Sequence, residues 1–286
     1  MSERDIKRRI RSVGEVQKIT RAMYLISSAN SQKAKDRLSI ADPYFTRIQE
    51  TMKELIEHTD PKDISLVTDN GPKRRAGIIV ITGDKGLCGD YNHNIINLAE
   101  KTMNELRYSY LLVVGAMGRD YFMRKGYNID TTLPYTAQDP TYASAVAISN
   151  IIFKFYRQGL LDEVFIVYTK YITSFKHTPT VLRVLPLDQE TLGVKERQRS
   201  HIMLKYIPSP QAVFKILTES YIKGVVYGAL VESYASEQTA RMTAMDSATK
   251  NAEDLIDKFK RLYNKERQGK ITREISEIIS SSEVLR

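Results

Sequence analysis

Residues 242–266 read MTAMDSATKNAEDLIDKFKRLYNKE. Within them Met242, Met245, Thr249, Ala252, Ile256, Phe259, Tyr263 and Glu266 recur at alternating steps of three and four. A mean spacing of about 3.5 residues keeps one stripe of a helix turned toward a partner helix, which predicts a left-handed coiled coil. The stripe is small or polar at several points, whereas a self-sufficient homodimeric zipper repeats Leu or Ile there. The opposite end of the chain offers a matching series in Ile6, Val13, Val16, Thr20, Met23, Ser27, Asn30 and Ala34. Two imperfect stripes from opposite ends pair most simply with each other, antiparallel, within one molecule. Two amphipathic helices lying on an ordinary core are the other reading.

The breakers of regular structure agree with long helical ends. All nine prolines of the 286-residue chain lie between Pro43 and Pro210, and residues 1–42 and 211–286 together hold only four of the 14 glycines. Proline and glycine interrupt helices more than any other residues, so both ends can run unbroken. At about 1.5 Å per residue the last 76 residues would span roughly 110 Å, which excludes a single compact globule.

Between the arms the pattern changes. Ala76–Thr82, Tyr110–Gly115, Val164–Tyr168 and Thr180–Leu185 are short apolar runs of the buried-strand type. Helical patterns over Asn92–Arg107, Gly118–Lys125 and Asp139–Arg157 alternate with them, the last opened by Asp139 as N-cap and Pro140 at the first helical position. Strands alternating with helices predict a small α/β domain with a mostly parallel sheet. Gln189–Arg199 is polar and reads as a surface loop, and Ser209 is placed to cap the C-terminal helix. The expected fold class is thus α+α/β. A long antiparallel coiled coil spans residues 1–57 and 210–286, with the α/β domain inserted as residues 74–205. Gly224 and Gly228, four apart on the C-terminal helix, predict a close approach of that helix to the α/β domain.

Composition excludes several functions. Cys88 is the only cysteine, and His58, His93, His177 and His201 are widely scattered, so no disulfide and no recognisable metal-ligand spacing is expected. No apolar run approaches the 18 residues of a membrane span, and MSERDIKRRIRS lacks the apolar core of a secretory signal, so an intracellular protein is expected. The net charge of +9 is concentrated: residues 1–37 carry ten Lys or Arg against four acids. Such an arm suits nucleic acid, anionic lipid or an acidic protein, or is a solvated helix face.

Gly83-Asp-Lys-Gly-Leu-Cys-Gly89 stands where phosphate-binding loops occur, after a strand and before a helix. It matches neither the Walker pattern nor G-x-G-x-x-G. Gly83, Gly86 and Gly89 read first as a tight structural turn, with nucleotide binding or partner docking as the other readings. Cys88 has no His or second Cys to activate it and is expected to be buried or inert. No catalytic constellation can be assembled.

Four segments nevertheless carry a resemblance. They are Lys18-Ile-Thr-Arg-Ala-Met23, Gly86-Leu-Cys-Gly-Asp-Tyr-Asn92, Ala235-Ser-Glu-Gln-Thr-Ala-Arg-Met-Thr-Ala-Met245 and Tyr263-Asn-Lys-Glu-Arg-Gln-Gly-Lys-Ile-Thr-Arg-Glu-Ile-Ser-Glu-Ile278. In this order they resemble the γ subunit of bacterial F-type ATP synthases. The resemblance implies a non-catalytic rotor shaft without a cofactor, peripheral to the cytoplasmic face of the membrane. Its partners would be three α and three β subunits, an ε subunit and a c-ring. It further implies that Arg267, Gln268, Thr272, Glu274, Lys18, Arg21, Met23 and Arg241 face β, with Glu237 and Gln238 tying the helices together. Tyr206 and Ile207 would lie at the base toward ε and the c-ring. Asp90 and Ile207 depart from the family's usual residues, and the ending Ile279-Ser-Ser-Ser-Glu-Val-Leu-Arg286 is more polar than usual. A basic coiled-coil protein that binds nucleic acid is the competing class, and it predicts affinity that falls steeply with salt.

Overall fold

The structure, a computed structural model, describes residues 2–58, 75–106, 108–130, 136–173, 176–187, 207 and 209–284. The elements are α1 (Glu3–His58), β1 (Ala76–Ile81), α2 (Tyr91–Glu105), β2 (Tyr108–Val114), α3 (Ala116–Arg124), α4 (Tyr142–Arg157), β3 (Glu163–Thr173), β4 (Lys176–Leu185) and α5 (Pro210–Val284). Two compact units form, one from Met1–Ser28 with Arg241–Arg286 and the other from Ala29–Ala240. The polar loop expected at Gln189–Arg199 and the base residue Tyr206 lie outside the described residues.

In the first unit α1 and α5 run antiparallel. Glu3 meets the Tyr263 hydroxyl, the Gln17 amide donates to Glu253 at 3.0 Å, and the Thr20 and Thr249 hydroxyls meet at 2.8 Å, so one number falls as the other rises. The α5 stripe matches its period: Met245, Thr249 and Ala252 are buried, and Ile256, Phe259, Tyr263 and Glu266 are half-buried among exposed neighbours. The α1 stripe is partly shifted. Ile6, Thr20 and Ser27 are buried as expected, but Val16 is 51% exposed and Gln17 takes its place in the seam. Steps of three and four fit a helix in either order. Here Val13 is followed by a step of four, so the apolar Val16 falls outside while the longer Gln17 reaches across.

In the second unit the sheet has the order β2-β1-β3-β4. β1 pairs parallel with β2 and β3, and β4 pairs antiparallel with β3, which makes the expected mostly parallel sheet. Its strands are apolar on both faces because both faces are covered. Alternation sends Ile78 and Val80 to one side, among Ile95, Ala99, Leu111 and Phe122 of α2, β2 and α3. Ile79 and Ile81 go to the other side, among Ile148 and Ile152 of α4, Met52 and Leu55 of α1, and Phe214 and Ile222 of α5. β3 and β4 are longer than their apolar runs. Their outer ends, up to Thr173 and from Lys176, pair as a partly exposed hairpin that needs no core.

The helix starts show which local signals decide. The Ser209 hydroxyl accepts the Ala212 N–H at 3.2 Å, as expected of an N-cap. For α4 the cap is Thr141, whose hydroxyl accepts the Ser144 N–H at 3.2 Å, and not Asp139. Asp139 stands at φ +46° and its carboxylate binds the Arg37 guanidinium at 2.6 Å. Gly224 also differs from expectation. A Cβ there would lie 2.1 Å from the Phe45 ring, so the close approach is between α5 and α1 and not toward the sheet.

Candidate functional site

The loop after β1 is the most elaborately tied segment of the second unit. The Asn92 side-chain carbonyl accepts the Gly83 N–H at 2.8 Å, and the Asn92 amide donates to Cys88 Sγ at 3.3 Å. Cys88 is buried, as expected, beside Tyr91 and Ala240. The Tyr91 hydroxyl donates to the Ser233 carbonyl at 3.1 Å, and burial beside Glu237 pushes its pKa far above the ordinary phenol value. A Cβ on Gly83 would come 2.9 Å from the Glu237 carboxyl, so glycine lets the loop lie against α5. Gly86 faces open space, and Gly89 adopts φ +61°. Leu87 shares that left-handed conformation, which is rare for a leucine, and its side chain is 64% exposed.

Phosphates of nucleotides bind where backbone N–H groups converge beyond the carboxyl ends of parallel strands. Here several donors from neighbouring segments converge instead on the protein's own Asp84. The Ala116 N–H reaches its Oδ1 at 2.8 Å, while the Ala137 and Gln138 N–H groups and the Thr136 hydroxyl reach its Oδ2 at 2.8, 3.1 and 2.6 Å. This end of the sheet is therefore organised around a fixed carboxylate, and the loop carries an exposed leucine, Leu87. The glycines stand out locally in the sequence and Asp84 does not, because its donors come from positions 32 to 54 residues away.

The first unit presents an exposed surface of mixed character. Lys18 and Arg21 point to solvent, with the Arg21 guanidinium 5.2 Å from the centre of the Tyr24 ring, and Met23 is half-buried at the seam edge. Beside them Val16, Ile19 and Ile26 form an exposed apolar stripe on α1. This stripe is not separable in the sequence from the seam, because the two share one period. On α5, Arg267, Gln268, Thr272 and Glu274 are all exposed. The Thr272 hydroxyl donates back to the Gln268 carbonyl at 2.9 Å, and Lys270 lies 3.7 Å from Glu274. Glu3, at the start of α1, lies opposite Tyr263, and the turns of α5 beyond it carry several exposed apolar side chains. They are Ile271, Ile275, Ile278 and Ile279.

The other expected site residues are distributed differently. Arg241 is only 6% exposed, and Glu237 and Gln238 are comparably buried. Ile207 is 78% exposed. Among the described residues no group of three His, Cys, Asp or Glu side chains could hold a metal ion, and no helix is long and apolar enough to cross a membrane.

Comparison with known proteins places this architecture. Residues 2–285 match the ATP synthase family model. The ATP synthase gamma chain of Caldanaerobacter subterraneus subsp. tengcongensis is 42% identical over 301 aligned positions, covering 99% of this chain and all of that one. The gamma chain of Acetivibrio thermocellus is 39% identical, with 99% and 98% covered. In fold, a chain of the Euglena gracilis mitochondrial ATP synthase (OSCP/F1/c-ring) aligns with TM-score 0.65 at 16% identity, covering 99% of this chain and 94% of that one. A chain from the central stalk and c-ring of the Tetrahymena thermophila enzyme aligns with TM-score 0.59 at 22% identity, over 80% of this chain. The chain belongs to the ATP synthase gamma chain family, the non-catalytic central-stalk subunit of the F-type ATP synthase.

Proposed function

We propose that this chain acts as the rotor shaft on the cytoplasmic face of the membrane, with its α1–α5 coiled coil inside a ring of three α and three β subunits. The parts would be residues 1–57 and 210–286 as the shaft and 74–205 as the base, which meets ε and the c-ring through the region of Tyr206 and Ile207. Coupling rotation to catalysis is the family's general role. A shaft can bias a catalytic site only through contact energies that differ between that site's states, so it must present an asymmetric surface. The observation that carries this reading is the surface of the first unit, which is apolar along Val16, Ile19 and Ile26, basic at Lys18 and Arg21, and polar at Arg267 and Gln268. Basic side chains steer an acidic partner, Arg267 offers a fork of charge-assisted donors, and Gln268 both donates and accepts. Met23, Thr272 and Glu274 border this contact. Arg241, being buried, would support it from within together with Glu237 and Gln238.

The test is coupled ATP synthesis in inverted membrane vesicles carrying Arg267→Ala with Gln268→Ala. Both side chains are exposed, so the complex should assemble in normal amount while synthesis falls severalfold. Unchanged synthesis would reject their assignment.

A further inference from the structure

Within the second unit the packing between α1, α5 and the β3–β4 hairpin is interrupted by a cleft of about 560 Å³. Close-packed interiors hold few voids larger than a water molecule, and clefts of about 300–1,000 Å³ are the size that encloses small ligands. Sequence accounts for the space. Leu38, Asp42, Phe45 and Gln49 form one stripe of α1, and Tyr221, Gly228 and Glu232 form the facing stripe of α5. Phe45 closes onto Gly224, whereas nothing lies within 4 Å of a Cβ placed on Gly228. One turn apart, the same residue type allows contact in one place and leaves an opening in the other.

The walls specify a chemistry. Phe45, Tyr171, Tyr221 and Tyr227 supply aromatic surface, and Asp42 and Glu232 supply carboxylates from opposite helices. Glu232 is half-buried and its Oε2 accepts the Tyr171 N–H at 3.2 Å. Burial pushes the Glu232 carboxyl above its ordinary value and Asp42 adds to this, while the Tyr171 N–H and the Lys170 ammonium act the other way. A second cation between the two carboxylates would offset the repulsion that Asp42 exerts on Glu232. Aromatic faces attract cations as well. The Tyr171 ring already carries the Lys35 ammonium, 5.1 Å from its centre. A metal ion is disfavoured, because two carboxylates among aromatic rings are too few hard ligands for one.

We propose that this cleft binds a small organic cation, an amine or quaternary ammonium attached to an apolar or aromatic body. The ammonium would sit between Asp42 and Glu232, with the body in the space beside Gly228 against Phe45 and Tyr227.

The probe is phenethylammonium, titrated into the purified full-length chain and followed by saturation-transfer NMR, with 3-phenylpropionate as the matched anion. Saturable binding of the cation is expected, with the anion at least about tenfold weaker. Glu232→Gln, which keeps the shape and can still accept the Tyr171 N–H, should weaken the cation by about tenfold. Gly228→Leu should abolish binding while the circular dichroism of the chain stays helical. Should Gly228→Leu fail to fold, Glu232→Gln and the anion still decide the matter. Absence of saturable cation binding, equal affinity for the anion, or an unchanged affinity in Glu232→Gln would overturn the assignment.

Discussion

Thr20 and Thr249 make a buried hydroxyl pair across the α1–α5 seam, and its response to substitution can be worked out in advance. Their oxygens are 2.8 Å apart, and each also lies near its own helix backbone, Thr20 at 3.0 Å from the Gln17 carbonyl and Thr249 at 2.7 Å from that of Met245. Each hydroxyl owns one proton. The cross-helix bond therefore leaves one threonine donating across and the other donating to its own helix. After Thr20→Val the remaining Thr249 turns its proton to Met245 and stays satisfied. The single substitution thus costs one net hydrogen bond, about 1 kcal/mol, without the larger penalty of an orphaned buried group. The same holds for Thr249→Val. The double substitution removes the cross-helix bond only once; it also loses the remaining back-bond, which adds little because the helix carbonyl keeps its main-chain partner, and it replaces both hydroxyls by methyl groups of the same shape. It should cost about 1 kcal/mol or less, giving a coupling energy near 1 kcal/mol. Because hydrogen exchange reports opening locally, the readout is exchange of peptides covering residues 13–28 and 242–260 in the full chain. Additive losses in the double variant, or single variants with no effect, would refute the pairing and with it the antiparallel register.

Glycine positions give opposite signs. At Gly115, φ is +93° and a Cβ would sit 2.2 Å from the Thr82 carbonyl oxygen, so Gly115→Ala should cost about 3 kcal/mol or more in thermal melts. Gly14 is inside α1 with open space around it, and Gly14→Ala should stabilise by about 0.5–1 kcal/mol. The raised carboxyl of Glu232 sets a pH dependence. Between its unfolded value of 4.5 and the higher folded value the native state binds the extra proton, so stability falls as pH rises through that window. Glu232→Gln should therefore melt higher than the parent at neutral pH, and the gap should close below pH 4.5; a gap that widens on acidification would contradict this.

Much of the architecture was legible because it rests on period and punctuation. The α5 stripe from Met245 to Glu266, the buried strands and the Ser209 cap are all local signals. Where two local solutions fit equally well, the choice belonged to tertiary packing. Val16 and Gln17 both continue a three-four alternation, and only the facing helix selects Gln17. Asp139-Pro140 and Thr141 are adjacent start signals, and the ion pair with Arg37 takes Asp139 out of competition. Asp84, the partner of Gly224 and the cleft beside Gly228 had no local trace, because each is defined by residues brought together from distant elements.

The central claim is that one copy of this chain serves a ring of catalytic partners as their stalk. Native mass measurement of the complex purified from membranes tests it most directly. The expected result is an assembly with three α, three β and a single copy of this chain. A free homodimer, or a complex holding this chain in equal number with its partners, would contradict it.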